Sequence, residues 1–292
     1  TLYSDFSSKN KLRRSGIMTE KKEEIDRAVK EKLAPKQFTK TPINGTKFTI
    51  LVSSAKGGVG KSTVAINIAF ALQSLGLKIG ILDADVYGPS LPKLINLNEK
   101  PKSEDGKAMM PLEKYGAQFM SMGFLVDEQT PMIWRGPMVI SAIKTMTQKV
   151  LWKDRDVIII DMPPGTGDTQ LTFAQEVKVD GAIIVSTPQD LALLDVKRGI
   201  QMFDKTGVKI LGLIDNMSYF KGDDGKEYKI FGESGVEKTA KEFNKDFLGH
   251  LPIHQDLRVS ADKGNPLTHS NPDHEVSKLF IKIAEKIKLS LN

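Results

Sequence analysis

The chain has 292 residues, of which 40% are hydrophobic and 27% are charged, as in an ordinary globular protein with one large core or two modest ones. It contains no cysteine, which excludes disulfides, thiolate metal sites and thiol nucleophiles. The formal net charge is +6, but no basic block is interleaved with aromatics, so we expect no nucleic-acid site. No apolar run approaches the roughly 18 residues of a membrane-spanning helix.

Residues 1–46 are predicted to form a solvated leader with one short helix. The first 17 residues are rich in Ser, Lys and Arg, a composition typical of mobile polar tails and, less closely, of organellar transit segments. Residues 20–33 contain helix formers with three apolar residues spaced at four, and two prolines follow. The folded domain is predicted to occupy residues 47–292.

The most informative stretch lies between a predicted buried strand, residues 48–52, and a predicted buried helix, residues 64–72. A strand, a glycine-rich loop, Lys-Ser/Thr and a helix form a phosphate-binding loop in its expected context. The predicted nucleotide-binding residues of this loop are Ala55, Lys56, Gly57, Gly58, Val59, Gly60, Lys61, Ser62 and Thr63. Ala55 stands where the general pattern has glycine.

Each residue type in this loop has a physical role. Gly57, Gly58 and Gly60 let backbone N–H groups turn towards phosphate oxygens, and the start of the helix adds free N–H groups and a positive dipole end. Lys61 places a charge on the β- and γ-phosphates, and the Ser62 hydroxyl can ligate Mg²⁺. A tight strand–helix turn with a surface lysine is the alternative, but it does not require the lysine and both hydroxyls at these offsets.

Two further predicted strands end in acidic residues. Residues 78–82 lead into Asp83 and Asp85, and the strand over residues 157–161 ends in Asp161. In an α/β sheet such strand ends lie near the phosphate loop. Asp161 is predicted to hold the water shell of Mg²⁺. One of the other two acids is predicted to orient the attacking water or a magnesium-bound water, with a plain polar strand end as an equal alternative.

Residues 162–168 read Met-Pro-Pro-Gly-Thr-Gly-Asp, which neither a helix nor a strand tolerates. A backbone N–H in such a segment can sense the γ-phosphate and move when it leaves, as GTPase switch loops do. The predicted switch residues are therefore Gly165 and Asp168, together with Asp83 and Asp85.

Further apolar runs over residues 181–186, 210–214 and 248–252 alternate with helical patterns, such as residues 190–203. This alternation predicts an α/β fold with a mostly parallel sheet and helices on both faces. Asn216 follows one of these strands at the ligand edge, where its amide can hydrogen-bond the edge of adenine.

The remaining segments carry weaker signals. Residues 93–117 are polar and turn-rich, and residues 221–229 have the turn formers of a hairpin. A last helix over residues 273–291 has an apolar stripe and a lysine-rich side; we expect it to dock on the core, although such helices can also lie on membranes. The four histidines are predicted to be structural, because Pro252 interrupts the pair that is spaced at four.

Several motifs together resemble a known family. Residues 55–61, with the second lysine Lys56, are similar to the deviant phosphate loop of the MinD/ParA-like ATPases. The motifs at residues 83–90, 134–138, 161–168, 187–189 and 216–220 resemble those of the Mrp family. Mrp proteins, also called ApbC, are ATP-dependent iron–sulfur cluster carriers related to the Nbp and Ind proteins. The resemblance extends over about residues 46–290.

This resemblance implies a slow, switch-type ATP hydrolase that forms a nucleotide-sandwich homodimer. The implied catalytic residues are Lys56, which reaches the phosphates bound in the other subunit, Lys61, and Asp85 beside the attacking water; Ser62 and Asp161 would hold Mg²⁺. ATP and Mg²⁺ are the implied cofactors, and apoprotein clients or iron–sulfur assembly proteins are the implied partners. We expect a cytoplasmic location, with an organellar matrix as the minor alternative. A positioning ATPase that cycles on a membrane or on DNA is the alternative function.

One departure from the family concerns the cluster itself. The family usually carries Cys-x-x-Cys after the Asn-Met-Ser motif, through which two subunits share a cluster, whereas residues 220–225 here read Phe-Lys-Gly-Asp-Asp-Gly. Iron–sulfur clusters need thiolates, and the carboxylates of Asp223 and Asp224 are hard, poor substitutes. An iron–sulfur cluster held by this chain alone is therefore doubtful, whereas the ATPase residues are complete.

Overall fold

The computed structural model describes residues 40–103, 108–125 and 136–291, so the leader helix predicted over residues 20–33 lies outside the described residues. The compact unit that contains the described residues begins at Lys40. Thr41 pairs with Val177 and Ile43 is buried in the core. Backbone pairing and apolar burial therefore hold the segment before the first strand to the domain.

The helices and strands of the described residues alternate along most of the chain. In chain order they are β1 (Thr46–Ser53), α1 (Lys61–Ser74), β2 (Ile79–Asp83), α2 (Leu91–Leu94), β3 (Leu112–Lys114), β4 (Ala117–Ser121), α3 (Gly136–Gln148), β5 (Arg155–Asp161), α4 (Asp168–Glu176), β6 (Gly181–Ser186), α5 (Asp190–Thr206), β7 (Ile210–Asp215), β8 (Phe220–Lys221), β9 (Glu227–Tyr228), α6 (Gly235–Glu242), β10 (Phe247–His250), α7 (Gln255–Asp262), α8 (Leu267–Ser270) and α9 (Glu275–Ser290).

Eight strands of the described residues form one sheet in the order β10-β7-β6-β1-β5-β2-β4-β3. Every neighbouring pair is parallel except β3–β4, which is antiparallel. All residues of β2, β4, β6 and β7 are buried, as expected for strands that helices cover on both sides. The predicted α/β fold with a mostly parallel sheet is confirmed.

The segment read as turn-rich, residues 93–117, contributes to a sheet edge that the sequence pattern did not indicate. Tyr115 and Gly116 join β3 to β4 with φ values of +52° and +75°, so both central residues of the hairpin turn are left-handed. Such turns favour Asn-Gly, and the Tyr-Gly pair here is a weak signal. Gln118 is buried inside β4, and its amide nitrogen donates a hydrogen bond to the Glu113 carboxylate at 2.9 Å. Because this buried residue is polar, the sequence of β4 does not have the apolar pattern of a core strand.

The terminal helix α9 packs on the core along its apolar stripe, where Phe280 and Ile283 are buried. The ammonium group of Lys286 donates to the backbone carbonyls of Phe247 and Leu248 at 3.2 Å and 2.8 Å. These contacts match the expected docking rather than a helix that lies on a membrane. Among the described residues, no helix has both the length and the apolar character to cross a bilayer.

Polar residues lie at the carboxyl ends of the central strands, along one edge of the sheet. β1 lies between β5 and β6, and the phosphate loop begins where β1 ends at Ser53. Asp83 at the end of β2 and Asp161 at the end of β5 are direct partners across the two strands. Ligands of open α/β sheets bind outside these carboxyl ends, so the sheet order alone brings both acids to the loop.

Candidate functional site

The phosphate loop connects β1 to α1 through two left-handed glycines. Gly58 has φ +80° and Gly60 has φ +77°. A Cβ at Gly60 would lie 2.5 Å from the amide nitrogen of Asn216, so glycine is required there by both conformation and space. α1 begins at Lys61 without a side-chain cap among the described residues, which leaves the first N–H groups of the helix directed at the loop.

Three of the predicted phosphate and magnesium residues meet at the start of α1. The ammonium group of Lys61 forms an ion pair with the carboxylate of Asp161, and both side chains are almost fully buried. The same ammonium group donates to the Ser62 hydroxyl at 3.3 Å. Each buried charge therefore has an opposite charge beside it, as a desolvated ion requires. A cation, a carboxylate and a hydroxyl share one small volume at the mouth of the loop.

The second loop lysine has a different environment. Lys56 is exposed to solvent, whereas Lys61 is buried, although only five positions separate them. The carbonyl of Lys56 accepts a hydrogen bond from the Ser54 hydroxyl at 2.9 Å, which holds this part of the loop. The side chain of Lys56 is therefore presented outward from its own loop.

Asp83 organises the loop that follows β2. Its carboxylate accepts hydrogen bonds from the backbone N–H groups of Ser90 and Leu91 at 3.0 Å and 3.1 Å, and from the Ser121 hydroxyl at 3.1 Å. The other oxygen accepts from the Asp85 N–H at 3.0 Å. The carboxylate thus caps the start of α2 and anchors the loop, which favours a positioning role over direct contact with water.

The pKa of Asp83 is raised to about 7, chiefly by burial and also by the nearby negative charge of Asp161, while the hydrogen bonds from the Leu91 and Asp85 N–H groups oppose the rise. Burial also raises the pKa of Asp85, while the positive charge of Lys61 opposes the rise. Asp85 is only partly buried and accepts from the Tyr87 and Gly88 N–H groups at 3.2 Å and 3.3 Å. Three carboxyl groups and one ammonium group therefore interact at this edge, as in sites that handle charged substrates.

Residues 162–167, called the switch segment below, pack against the phosphate loop. Gly165 has φ +98°, and its N–H donates to the Ser54 carbonyl at 2.9 Å. The Met162 N–H donates to the Val52 carbonyl at 3.0 Å. Asp168 is the first residue of α4, and its side chain lies outside the described part of the chain. The predicted switch glycine is thus hydrogen-bonded directly to the loop.

Asn216 lies between the phosphate loop and a neighbouring cleft. Its amide nitrogen donates to the Val59 carbonyl at 2.8 Å, and its Oδ1 is buried without a partner among the described residues. The cleft has a volume of about 950 Å³, and its lining includes Gly60, Thr63 and Asn216. This volume lies within the usual range of small-molecule sites and is large enough for a nucleoside, and Asn216 is one of the residues that line it.

Within the described residues, one group of side chains has the spacing of a metal site, but the hydrogen bonds of its two histidines argue against that role. Ligand atoms of His254, Asp256 and His274 lie within 4.8 Å of one another. However, Nδ1 of His254 accepts from the Asp256 N–H at 3.2 Å, and Nδ1 of His274 accepts from the Val276 N–H at 3.1 Å. A neutral ring in this arrangement carries its proton on Nε2 and has no lone pair left for a metal. Both rings instead cap α7 and α9.

Comparison with known proteins identifies the family. Residues 45–288 match the family model described as ParA: NUBPL iron-transfer P-loop NTPase. The chain belongs to this NUBPL family. The iron–sulfur cluster transfer protein NUBPL of Dictyostelium discoideum is 50% identical over 254 residues, which cover 86% of this chain and 79% of that protein.

Two solved structures are similar to the chain. A nucleotide-binding protein from Archaeoglobus fulgidus in complex with ADP is 36% identical, with a TM-score of 0.67, and the match covers 76% of this chain and 88% of that one. The Pyrococcus furiosus cell division ATPase MinD is 22% identical, with a TM-score of 0.61 over 83% of this chain and 98% of that one. The second likeness shows the MinD-like fold alone.

In this member of the NUBPL family, the loop predicted as hairpin-like is a two-stranded ribbon of β8 and β9. The carboxylate of Asp224 accepts from the Lys226 N–H at 3.0 Å and from the Tyr228 hydroxyl at 2.8 Å. Asp224 is therefore used within the turn, where Gly225 is left-handed. Within the described ranges, no group of three potential metal ligands occurs on this ribbon.

Proposed function

We propose that the chain is a Mg-ATP-binding, slowly hydrolysing switch ATPase that acts as a homodimer in the transfer of iron–sulfur clusters to apoproteins. The observation that carries the proposal is the meeting of Lys61, Ser62 and Asp161 at the phosphate loop, beside Asp85. Family membership supports the cluster-transfer role, because a relative that is 50% identical is called an iron–sulfur cluster transfer protein.

The phosphates would bind where the loop amides and the start of α1 converge. Lys61 exchanges the carboxylate of Asp161 for the β- and γ-phosphate oxygens, which keeps its buried charge compensated. The Ser62 hydroxyl would ligate Mg²⁺ and the Asp161 carboxylate would hold its water shell, since hydroxyl, carboxylate and water oxygens are the hard ligands that this ion prefers. When bound, Mg²⁺ neutralises charge on the β- and γ-oxygens.

Hydrolysis needs a positioned water and a loop that responds to the γ-phosphate. We assign the orientation of the water to Asp85. Its carboxylate is partly exposed, and it lies close enough to Lys61 for the positive charge of that lysine to lower its pKa, against the effect of burial. Asp83 keeps that loop in place through its four hydrogen bonds. The Gly165 N–H, now bonded to the Ser54 carbonyl, lies beside the phosphate loop and is the group proposed to sense the γ-phosphate.

We assign the exposed Lys56 to the partner subunit's nucleotide. A lysine that points away from its own loop can reach phosphates bound across a two-fold interface, where it would stabilise the charge that develops in the transition state. This assignment makes the homodimer part of the catalytic unit.

The free Oδ1 of Asn216 predicts a preference for adenine. The exocyclic amino group of adenine can donate to this acceptor, whereas guanine and hypoxanthine present a carbonyl oxygen there and leave the acceptor unpaired. We expect Mg-ADP to bind at least about 10-fold more tightly than Mg-GDP or Mg-IDP in calorimetric titrations. IDP is the matched control, because its base differs from adenine only at C6 and N1, where a carbonyl acceptor replaces the amino donor and N1 carries a proton. Equal affinities for ADP and IDP would contradict the assignment, and no heat with any nucleotide would overturn the proposed ATPase.

The absence of cysteine predicts that the cluster is carried with ligands lent by a partner protein. After anaerobic incubation with iron and sulfide, the isolated chain is expected to contain less than about 0.1 cluster per subunit, because a stable cluster needs thiolates. With a cluster-loaded assembly protein as donor and an apoferredoxin as acceptor, transfer is expected to accelerate with the chain and ATP.

The control for the transfer reaction is the Lys56→Ala variant, which should bind ATP without accelerating transfer. Stoichiometric iron and acid-labile sulfide on the isolated chain would contradict the thiolate argument. Transfer that proceeds at the same rate without the chain would contradict the role in this pathway.

A positioning ATPase remains the alternative, since the fold is also that of MinD. Two lysines of α9 donate hydrogen bonds to backbone carbonyls of the protein itself. This counts against a membrane-bound positioning ATPase, because the same ammonium groups would be needed to bind an anionic membrane surface. Sedimentation with anionic liposomes or DNA, in ATP and in ADP, separates the two functions. The cytoplasmic location, with an organellar matrix as alternative, stays a prediction.

A further inference from the structure

Gln170 connects two parts of the site that are distant in the chain. It lies in the first turn of α4 and is 1% exposed. Its Oε1 accepts a hydrogen bond from the Ser53 hydroxyl at 2.8 Å, and its amide nitrogen donates to the Pro163 carbonyl at 2.6 Å. Ser53 ends β1 directly before the phosphate loop, and Pro163 belongs to the switch segment. One buried amide therefore links the two.

The two contacts determine which way the amide of Gln170 faces. The Pro163 carbonyl can only accept, so it must face the NH₂ group, and the Ser53 hydroxyl then donates to the oxygen. A carboxylate in the same place would set an oxygen against the Pro163 carbonyl without a proton between them. A hydrocarbon side chain would leave both partners buried and unpaired. Glutamine thus satisfies both sides of this contact at once.

The two hydrogen bonds of Gln170, called the bridge below, flank the contact between the phosphate loop and Gly165. The Gly165 N–H donates to the Ser54 carbonyl at 2.9 Å, and the Ser54 hydroxyl in turn donates to the Lys56 carbonyl at 2.9 Å. Gln170 therefore binds one residue on each side of these two hydrogen bonds: Ser53 at the end of β1, and Pro163 in the switch segment. Its length sets the gap between the loop and the switch segment.

We propose that Gln170 is a positioning residue that sets the distance of the switch segment from the phosphate loop, and so controls turnover rather than nucleotide affinity. It is not among the residues proposed to bind the phosphates or Mg²⁺, and its side chain acts through Pro163 and Ser53. This role rests on the proposed ATPase function. The loop amides and Lys61, which bind the nucleotide, do not depend on the bridge, whereas a displacement of about 1 Å at a catalytic group can cost up to about 100-fold in rate.

The test compares Gln170→Leu and Gln170→Glu with Gln175→Leu and Gln175→Glu. Gln175 lies on the same helix and is partly exposed, so it controls for helix propensity and for the charge of glutamate. We expect kcat for ATP to fall about 10- to 100-fold in both Gln170 variants, with the Kd for Mg-ADP changed by less than about threefold. Ser53→Ala, which keeps the Pro163 contact, should lie between them and the wild type.

A purely structural Gln170 would lower the thermal midpoint without this separation of kcat from Kd. Unchanged kcat in the Gln170 variants, or a Kd that weakens as much as kcat falls, would overturn the positioning role while the ATPase proposal stands. Hydrogen exchange in the nucleotide-free protein is the second measurement. The Gly165 amide should exchange at least about 10-fold faster in Gln170→Leu than in the wild type, with β1 amides unchanged.

The exchange measurement makes the two failures distinguishable. If the wild type neither binds nor hydrolyses ATP, the proposed function fails, and exchange at Gly165 still reports whether Gln170 sets the gap. Equal Gly165 exchange in the wild type and Gln170→Leu would overturn the inference whatever the activity.

Discussion

Replacing Lys61 with alanine is expected to remove measurable nucleotide binding. The ammonium group is buried at the start of α1 and is the proposed partner of the β- and γ-phosphates. Loss of one partner of a buried, hydrogen-bonded charge pair costs about 2–5 kcal/mol, which corresponds to roughly 30- to 5,000-fold in affinity. Calorimetric titration with Mg-ATP and Mg-ADP measures the change.

The controls for Lys61→Ala must separate binding from folding. The substitution leaves Asp161 buried without its cation, so some loss of stability is expected. The double variant Lys61→Met/Asp161→Asn removes both charges and should fold more stably than Lys61→Ala, still without binding nucleotide. Lys47→Ala removes an exposed lysine that pairs with Asp156, and it should bind like the wild type. Wild-type affinity in a folded Lys61→Ala variant would refute the assigned phosphate contact.

Replacing Lys56 with alanine is expected to preserve binding and to remove turnover. Lys56 is exposed and its loop position is held through its backbone carbonyl, so the cradle of the bound nucleotide stays intact. A cation supplied from a second subunit can accelerate phosphoryl transfer by about 10³-fold or more. We therefore expect kcat to fall by about 10³-fold while the Kd for Mg-ADP changes by less than about threefold. Equal losses in affinity for Lys56→Ala and Lys61→Ala would contradict the assignment.

Mixed subunits test whether Lys56 acts across an interface. Lys56→Ala and Asp85→Asn are each expected to be nearly inactive alone. In a mixed dimer the site of the Lys56→Ala subunit receives Lys56 from its partner and keeps its own Asp85. Random mixing should then restore about a quarter of the wild-type rate, since half the dimers are mixed and each has one complete site. Activity that stays at the level of the separate variants would show that Lys56 serves its own subunit.

The phosphate loop could be predicted because its function depends on neighbours in the chain. Left-handed glycines at positions 58 and 60, and the lysine and hydroxyl that open α1, occupy offsets that a strand–loop–helix connection requires. The β3–β4 edge could not be predicted, since a left-handed tyrosine and a buried glutamine conceal it. Those residues are acceptable only in the packed structure, where Gln118 has hydrogen-bond partners.

The acidic residues at the strand ends could be predicted only in part. Their positions at strand ends follow from the sequence pattern, but the division of roles between Asp83 and Asp85 does not. Asp83 is fully buried and engaged by four donors, whereas Asp85 stays partly exposed, and this difference follows from the loop that folds back over β2. Gln170 carried no signal at all, because a glutamine in the first turn of a helix is ordinary until its partners are known.

The amino-acid sequence by itself determined the fold class, the phosphate loop and the strand ends that carry acids, because these depend on periodicity and on spacing within a few residues. Only the tertiary structure decided which side chains meet. Lys61 and Asp161 are 100 positions apart, Ser53 and Gln170 are 117 apart, and Val59 and Asn216 are 157 apart. Such pairs form because the order of the strands in the sheet brings their ends together, and that order is a property of the packed chain rather than of any local segment.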